Sequence, residues 1–321
     1  MAKMTYGALM NGMINLLIMT WFLVICTETK AQQVSIAPYY GGRQAALSLT
    51  FDDGLEDQYT LAFPELKRRG LKATFAIIGP KVGGMMRSKQ DRIDGTNGTR
   101  VMTWEQLRQM AADGQEIVSH GWEHRSVTRL DSMALAYEIT ANDSAIEKNI
   151  GTRPATYFYP GNNKTDETVA FCERDKVGSR TYQLSLGSKR TLPFMKNYVE
   201  ELIAHGKWGV TMTHGIARGY DHFQDQQVLW DFLDYLVTKR EELWIATFRD
   251  IAAYRKEAAA TTLTVPKDKD MLTITPHCPL DAKLYHHPLT IVIDSKQMVD
   301  INPHGGPVSV RICSAQHQSE P

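Results

Sequence analysis

From about Gln44 to Ala258, short apolar runs alternate with amphipathic stretches. Leu47, Leu49 and Phe51 alternate with polar neighbours, the period-two signature of a strand. Leu61 to Gly70 has helical spacing and ends at a glycine. Ala73 to Ile78 is the next apolar run, closed by Gly79-Pro80. Thr103 with Gln106 three residues on forms a capping box for a helix that runs to Asp113-Gly114. Gln115–Ser119, Thr156–Tyr159, Val177–Tyr182, Gly209–Thr213 and Trp244–Thr247 supply further strands. Helices are expected over Leu130–Ile150, near Glu200, over Asp225–Lys239 and over Phe248–Glu257. Alternating strands and helices imply parallel pairing and an α/β fold. About seven strands favour a barrel, complete or not, over an open sheet.

The texture changes after Ala258-Ala-Ala-Thr-Thr262, which reads as a linker. Leu263–Val265, Met271–Thr275, Leu289–Ile293 and Val308–Ile312 have strand patterns punctuated by Pro276, Pro279, Pro288, Pro303 and Gly305-Gly306. This predicts a small all-β appendage over residues 259–321, following a barrel over residues 32–258.

Composition narrows the class. The 321 residues carry 36 Lys+Arg against 36 Asp+Glu and are 43% hydrophobic, which excludes a disordered chain and a polytopic membrane protein. Without a basic excess to displace counterions, a nucleic-acid partner is not expected. A core of this size folds without a staple, so a bound metal would serve chemistry rather than folding. Residues 1–31 read as a secretory signal. The apolar run Ile14–Cys26 is short of the roughly 20 residues of a membrane span, and Ala31 offers a small residue at the cut. The expected location is therefore secreted, periplasmic or cell envelope. Membrane attachment would require an uncleaved signal or lipidation of Cys26, which follows the bulky Ile25. Cys172, Cys278 and Cys313 are left in the exported chain, and spacing alone leaves the pairing of Cys278 with Cys313 open. No Cys-x-x-Cys is present for a thiolate zinc site.

Four segments place polar residues of related chemistry just after an expected strand: Asp52-Asp53-Gly54, Ser119-His-Gly-Trp-Glu-His124, Tyr159-Pro160-Gly161-Asn162 and Thr213-His214-Gly215. In an α/β barrel the carboxyl ends of the strands converge on one site. Taken singly each is weak. Asp-Asp-Gly is a common solvated turn, two histidines four apart on one helix face are often a surface accident, and a lone histidine is often a satisfied one. Converging, two imidazoles and a carboxylate make a three-donor metal site with open positions.

Leu49-Thr-Phe-Asp-Asp-Gly54, Leu71-Lys-Ala-Thr-Phe75 and Ser119-His-Gly-Trp-Glu-His124 resemble the polysaccharide deacetylase family of carbohydrate esterases (the NodB homology group, which includes chitooligosaccharide deacetylases). The likeness spans residues 44 to 258. It implies a distorted (β/α)7 barrel and a metal-dependent hydrolase that removes N- or O-linked acetyl groups from an extracellular glycan or oligosaccharide. It implies Asp52 as general base, His214 as general acid, and Asp53, His120 and His124 as ligands of a divalent metal, Zn2+ or alternatively Co2+, Ni2+ or Mn2+. Tyr159, Pro160 and Gly161 would line the oxyanion position, and Trp122 is either a substrate wall or buried support.

The family arginine that holds the base is replaced here by Phe158, and Arg153 lies too far upstream. Arg180, on the following strand, matches the position that relatives with this third motif use. A fourth family motif, with Asp and Trp, is not recognisable. Tyr285 to Ile293 and histidines 277, 286, 287 and 304 of the appendage could form a carbohydrate-binding face or simply pack on the barrel. Two other functions stay open on this scaffold: an amidohydrolase for a small non-sugar amide, and a non-catalytic carbohydrate-binding protein.

Overall fold

The computed structural model describes residues 32–312 except positions 88, 95, 96, 188 and 189. The expected signal 1–31, with Cys26, and Cys313 lie outside the described residues. The central strand is Ala45–Phe51, buried along its whole length. Its alternation does not separate core from solvent. Leu47, Leu49 and Phe51 pack against helices in the main core. The polar alternates Ser48 and Thr50 face inward, where Ser48 accepts from Trp208 Nε1 and Thr50 Oγ1 donates to the carbonyl of Thr211 at 2.6 Å. Both faces of a parallel barrel strand are covered, so its polar positions must be small and hydrogen-bonded.

This strand pairs in parallel with Trp208–Thr213 on one edge. On the other it pairs with Thr74–Ile77 near its end and Leu243–Ile245 near its start. The ladder continues from Thr74–Ile77 through Glu116–Ser119 and Thr156–Phe158 to Gly178–Arg180. From Trp208–Thr213 it continues to Leu184–Ser185. Gly178–Arg180 lies four pairings from Ala45–Phe51, yet Arg180 hydrogen-bonds Thr50 across the interior at 2.7 Å. The sheet is therefore curled into a distorted α/β barrel. Among the described residues no pairing joins Gly178–Arg180 to Leu184–Ser185, so the curl is open there.

Helices Phe63–Arg68, Trp104–Ala112, Ser132–Ile150, Leu192–Ala204, Gln227–Thr238 and Phe248–Ala260 lie between or after these strands. Thr103 and Gln106 form the expected capping box. Three features were not expected. A helix covers Asp166–Cys172, a hairpin pairs Met85–Met86 with Thr99–Arg100, and the chain enters the first helix through a widened i→i+5 turn over Gln58–Ala62. Pro64 follows that turn and has no N–H to offer it.

The residues read as a linker are not one. The last barrel helix runs to Ala260 and a strand begins at Thr262. The C-terminal strands are all antiparallel. Thr262–Thr264, Lys267–Asp268 and Val308–Arg311 surround Met271–His277, and Leu289–Ile293 pairs with Gln297–Ile301. Leu289–Ile293 also pairs with Val34–Ile36, which precede the barrel in sequence. These strands share a core with Tyr254 of the last barrel helix. His287 is packed edge-on among Tyr40, Trp244 and Tyr254, and its backbone N–H donates to both oxygens of buried Glu257. Tyr285 is buried in the cluster that holds Phe158 and Phe248. Tyr285 and His287 therefore pack on the barrel rather than form a ligand face.

Candidate active site

The inner face of the central strand carries Thr50 and Asp52 two residues apart, on the same side. Arg180 meets both. Nη1 donates to Asp52 Oδ1 at 2.7 Å and to Thr50 Oγ1 at 2.7 Å, and Nη2 donates to Asp52 Oδ2 at 2.6 Å. The guanidinium lies over the Phe158 ring, 4.1 Å from its centroid, so Phe158 supports one face of Arg180. Both partners of this fork are buried. Burial alone would push Asp52 upward. The charge of Arg180 and its guanidinium hydrogen bonds outweigh it and hold the carboxyl well below the usual range. Asp52 is a locked anion.

Asp53 would face the opposite side if the strand continued. Instead Asp53 and Gly54 both adopt left-handed backbone, φ 72° and 69°, and the chain turns so that both carboxylates line one cleft. His120 and His124 are not on a helix. The strand ends at Ser119, and left-handed Gly121 (φ 81°) and His124 (φ 59°) fold the segment into a compact loop. Glu138 secures it, accepting the N–H groups of Glu123 and Arg125. His120 Nδ1 lies 3.0 Å from the carbonyl of Phe158. A carbonyl only accepts, so Nδ1 carries the proton and Nε2 presents its lone pair. Nε2 of His120 and of His124 lie 3.7 Å and 3.6 Å from Asp53 Oδ1.

Those separations are too long for hydrogen bonds. They are close to the roughly 3.3 Å between neighbouring ligands of a tetrahedral zinc-type ion with bonds near 2 Å. One donor atom from each of the three residues falls within 4.8 Å of the others. Asp53 Oδ1 is buried without a hydrogen-bond partner. Burial pushes the Asp53 carboxyl up to about 6, partly offset by His214 and reinforced by Asp52. Burial also drives His120 down to about 3 and lowers His124, keeping both imidazoles neutral. An unpartnered buried oxygen with two neutral imidazoles aimed at it is a donor set that fits a divalent cation.

His214 follows the strand Trp208–Thr213 and lines the same cleft as Asp52, Asp53, His120 and His124. Its ring meets Tyr220 edge-on at 5.0 Å, and its Nδ1 is buried without a hydrogen-bond partner. The cleft holds about 760 Å3. Tyr159 and Gly161 line it, but Trp122 and Pro160 are not among its described lining residues. Trp122 instead packs on Gly79, where a Cβ would come within 2.8 Å of its ring, so its place is support. Apolar Leu55, Met86, Ile93 and Tyr220 also line the cleft, interspersed with polar Arg87, Asp91 and Thr99. The sequence signal for these lining residues was faint: two isolated apolar residues in a polar insertion, and an aromatic six positions after His214.

Residues 40–177 match the family model for polysaccharide deacetylase. This likeness to polysaccharide deacetylases covers 138 of the 321 residues, less than half of the chain. A putative polysaccharide deacetylase, YxkH, of Bacillus subtilis (strain 168) is 28% identical over 126 residues, 39% of this chain and 40% of that protein. A chitin deacetylase of Pestalotiopsis sp is 30% identical over 113 residues, 35% of this chain and 33% of that protein. The chain thus aligns with well under half the length of these curated relatives. Among solved structures, the peptidoglycan deacetylase PdaC from Bacillus subtilis is 20% identical, covering 68% of this chain and 94% of its own, with a TM-score of 0.46. The segment matching the polysaccharide deacetylase model contains Asp52, Asp53, His120, His124 and Tyr159. Arg180 and His214 lie beyond its end, and the fold returns them to the same cleft.

Proposed function

We propose that this chain is a metal-dependent hydrolase that removes acetyl groups, on nitrogen or oxygen, from an exported or extracellular glycan. One observation carries the reading. A three-donor cluster, Asp53, His120 and His124, shares a cleft with an anion that Arg180 keeps permanently charged and with an imidazole, His214. A divalent ion held by the three donors would polarise the acyl carbonyl and make water more acidic. Asp52 is fixed to accept the proton of the attacking water, because Arg180 sets its rotamer and its charge. His214 is placed to protonate the departing amine or alkoxide. The turn at Tyr159–Gly161 brings backbone against the cleft, where amide groups can stabilise charge developing on the acyl oxygen. Apolar Leu55, Met86, Ile93 and Tyr220 beside polar Arg87, Asp91 and Asn162 in the cleft lining suit a sugar, whose ring faces are apolar and whose hydroxyls need polar partners. Export rests on the signal pattern of residues 1–31. Among the described residues, no helix is long and apolar enough to cross a membrane.

The test is acetate release from a panel of N- and O-acetylated glycans and small acylated amides, with and without chelator. The reading expects release from at least one glycan, abolished by chelation and restored by a divalent ion. Release only from small amides would replace the glycan by another substrate. Turnover unaffected by full removal of metal would refute the mechanism.

A further inference from the structure

We infer that Asp57 and Gln58 are positioning residues that clamp the His214 loop to the end of the Asp52 strand. The inference rests on the reading of Asp52 and His214 as base and acid. Gln58 is fully buried, and its Nε2 donates to two backbone carbonyls, that of Asp52 at 2.6 Å and that of His214 at 2.9 Å. Carbonyls only accept, so the orientation of the amide is determined. One side chain thereby ties together the backbones of the two proton-handling residues, 162 positions apart by their numbers (214 − 52). Asp57, one position earlier, caps the following turn. Its Oδ2 accepts the N–H groups of Ile216, Ala217 and Arg218 at 2.8, 2.8 and 3.1 Å. That turn is tight, since a Cβ on Gly215 would lie 1.8 Å from the carbonyl oxygen of Arg218.

Neighbouring contacts explain why the clamp matters. Asp52 has its carboxylate held by Arg180, but the described contacts of His214 are one edge-on ring contact and a bare buried Nδ1. The position of the imidazole is therefore delegated to its backbone, and the clamp fixes that backbone. The same two residues leave Asp57 Oδ1 and Gln58 Oε1 buried without partners. An apolar side chain at position 58 would fill the volume without that cost, so the amide is retained for the two bonds it makes. The widened turn over Gln58–Ala62 supplies the geometry, because it begins at Gln58 itself.

The variants are Gln58→Met, which keeps length but cannot donate, with Asp57→Ala and the conservative Asp57→Asn. Hydrogen exchange of the amides in residues 214–223 of the full chain needs no substrate, so it tests the clamp even if acetyl release fails on every panel member. Exchange there should accelerate about tenfold or more in Gln58→Met and Asp57→Ala. Asp57→Asn keeps an acceptor and should lie closer to the wild type. On any glycan the wild type deacetylates, kcat should fall about 10- to 100-fold with KM within about threefold. Zinc bound per chain should not change. Unchanged exchange in both Gln58→Met and Asp57→Ala overturns the inference. So does a loss of kcat that only tracks loss of zinc or faster exchange across the whole chain.

Discussion

Replacing Arg180 by methionine keeps most of the side-chain volume and removes the guanidinium. Asp52 then loses both charged donors, and Thr50 loses the one at 2.7 Å. Arg180 is 1% exposed, so water cannot take over. Breaking one side of a buried pair leaves an uncompensated charge, at a cost of about 3–5 kcal/mol. For a domain of this size that lowers Tm by roughly 5–8 °C. The pH dependence has a definite sign. In the wild type the Asp52 pKa lies below its ordinary 3.8, so its stabilising contribution is present above that value and is lost as pH falls through the depressed one. In Arg180→Met burial is no longer outweighed and the pKa rises, so protonation relieves the variant as pH falls. The gap between the two proteins should be widest near neutral pH and narrow towards pH 4. Thermal unfolding of chelated protein between pH 7 and pH 4 measures it. Adding Asp52→Asn to Arg180→Met should restore part of the lost stability at pH 7, because the orphaned charge is gone. A gap under 2 °C, a gap independent of pH, or a double variant no better than the single one would refute the buried-pair reasoning.

Asp53→Ala or His124→Ala should reduce bound zinc from about one ion per chain to near none by elemental analysis, with the fold retained by circular dichroism. Asp52→Asn should keep the ion and lower acetate release by roughly 10²-fold or more; loss of the ion in this variant would exchange the roles of the two aspartates. Glu257, raised to about 7 chiefly by burial, favours its neutral form in the folded state. Its contribution is complete below the ordinary 4.5 and is lost as pH rises through about 7, so Glu257→Gln should flatten the fall in Tm between pH 5 and pH 8.

Much of the site was legible because its residues follow strand ends directly. Asp52, Asp53, His120 and His214 each sit at or just after the last residue of a strand whose pattern was readable, and barrel geometry brings such positions together. Arg180 was legible from the gap left at Phe158. What escaped was set by contacts between distant segments. The histidine pair looked helical by spacing, but Gly121 and His124 in left-handed conformation make it a loop. The alternation of Ser48 and Thr50 with apolar residues marked a strand but not its burial, because only the curl of the sheet covers both sides of its central strand. Leu184–Ser185 is a two-residue strand without a periodicity of its own. Asp57 and Gln58 resemble any polar start of a helix; only the approach of the 214–218 loop shows what they hold.

The pairing of Val34–Ile36 with Leu289–Ile293 also bears on the order of assembly. Gln33 donates to Asp294 across 261 positions of chain, among the longest sequence separations in the fold. A contact of such high order is costly to close early, and during synthesis its partner strand is made after the whole barrel. The barrel strands can pair as they emerge, while the edge of Val34–Ile36 waits. The C-terminal strands therefore act as a final fastening, and a chain cut after Ala260 would leave an apolar face around Tyr254 and an open strand edge at Val34–Ile36 available for association between copies.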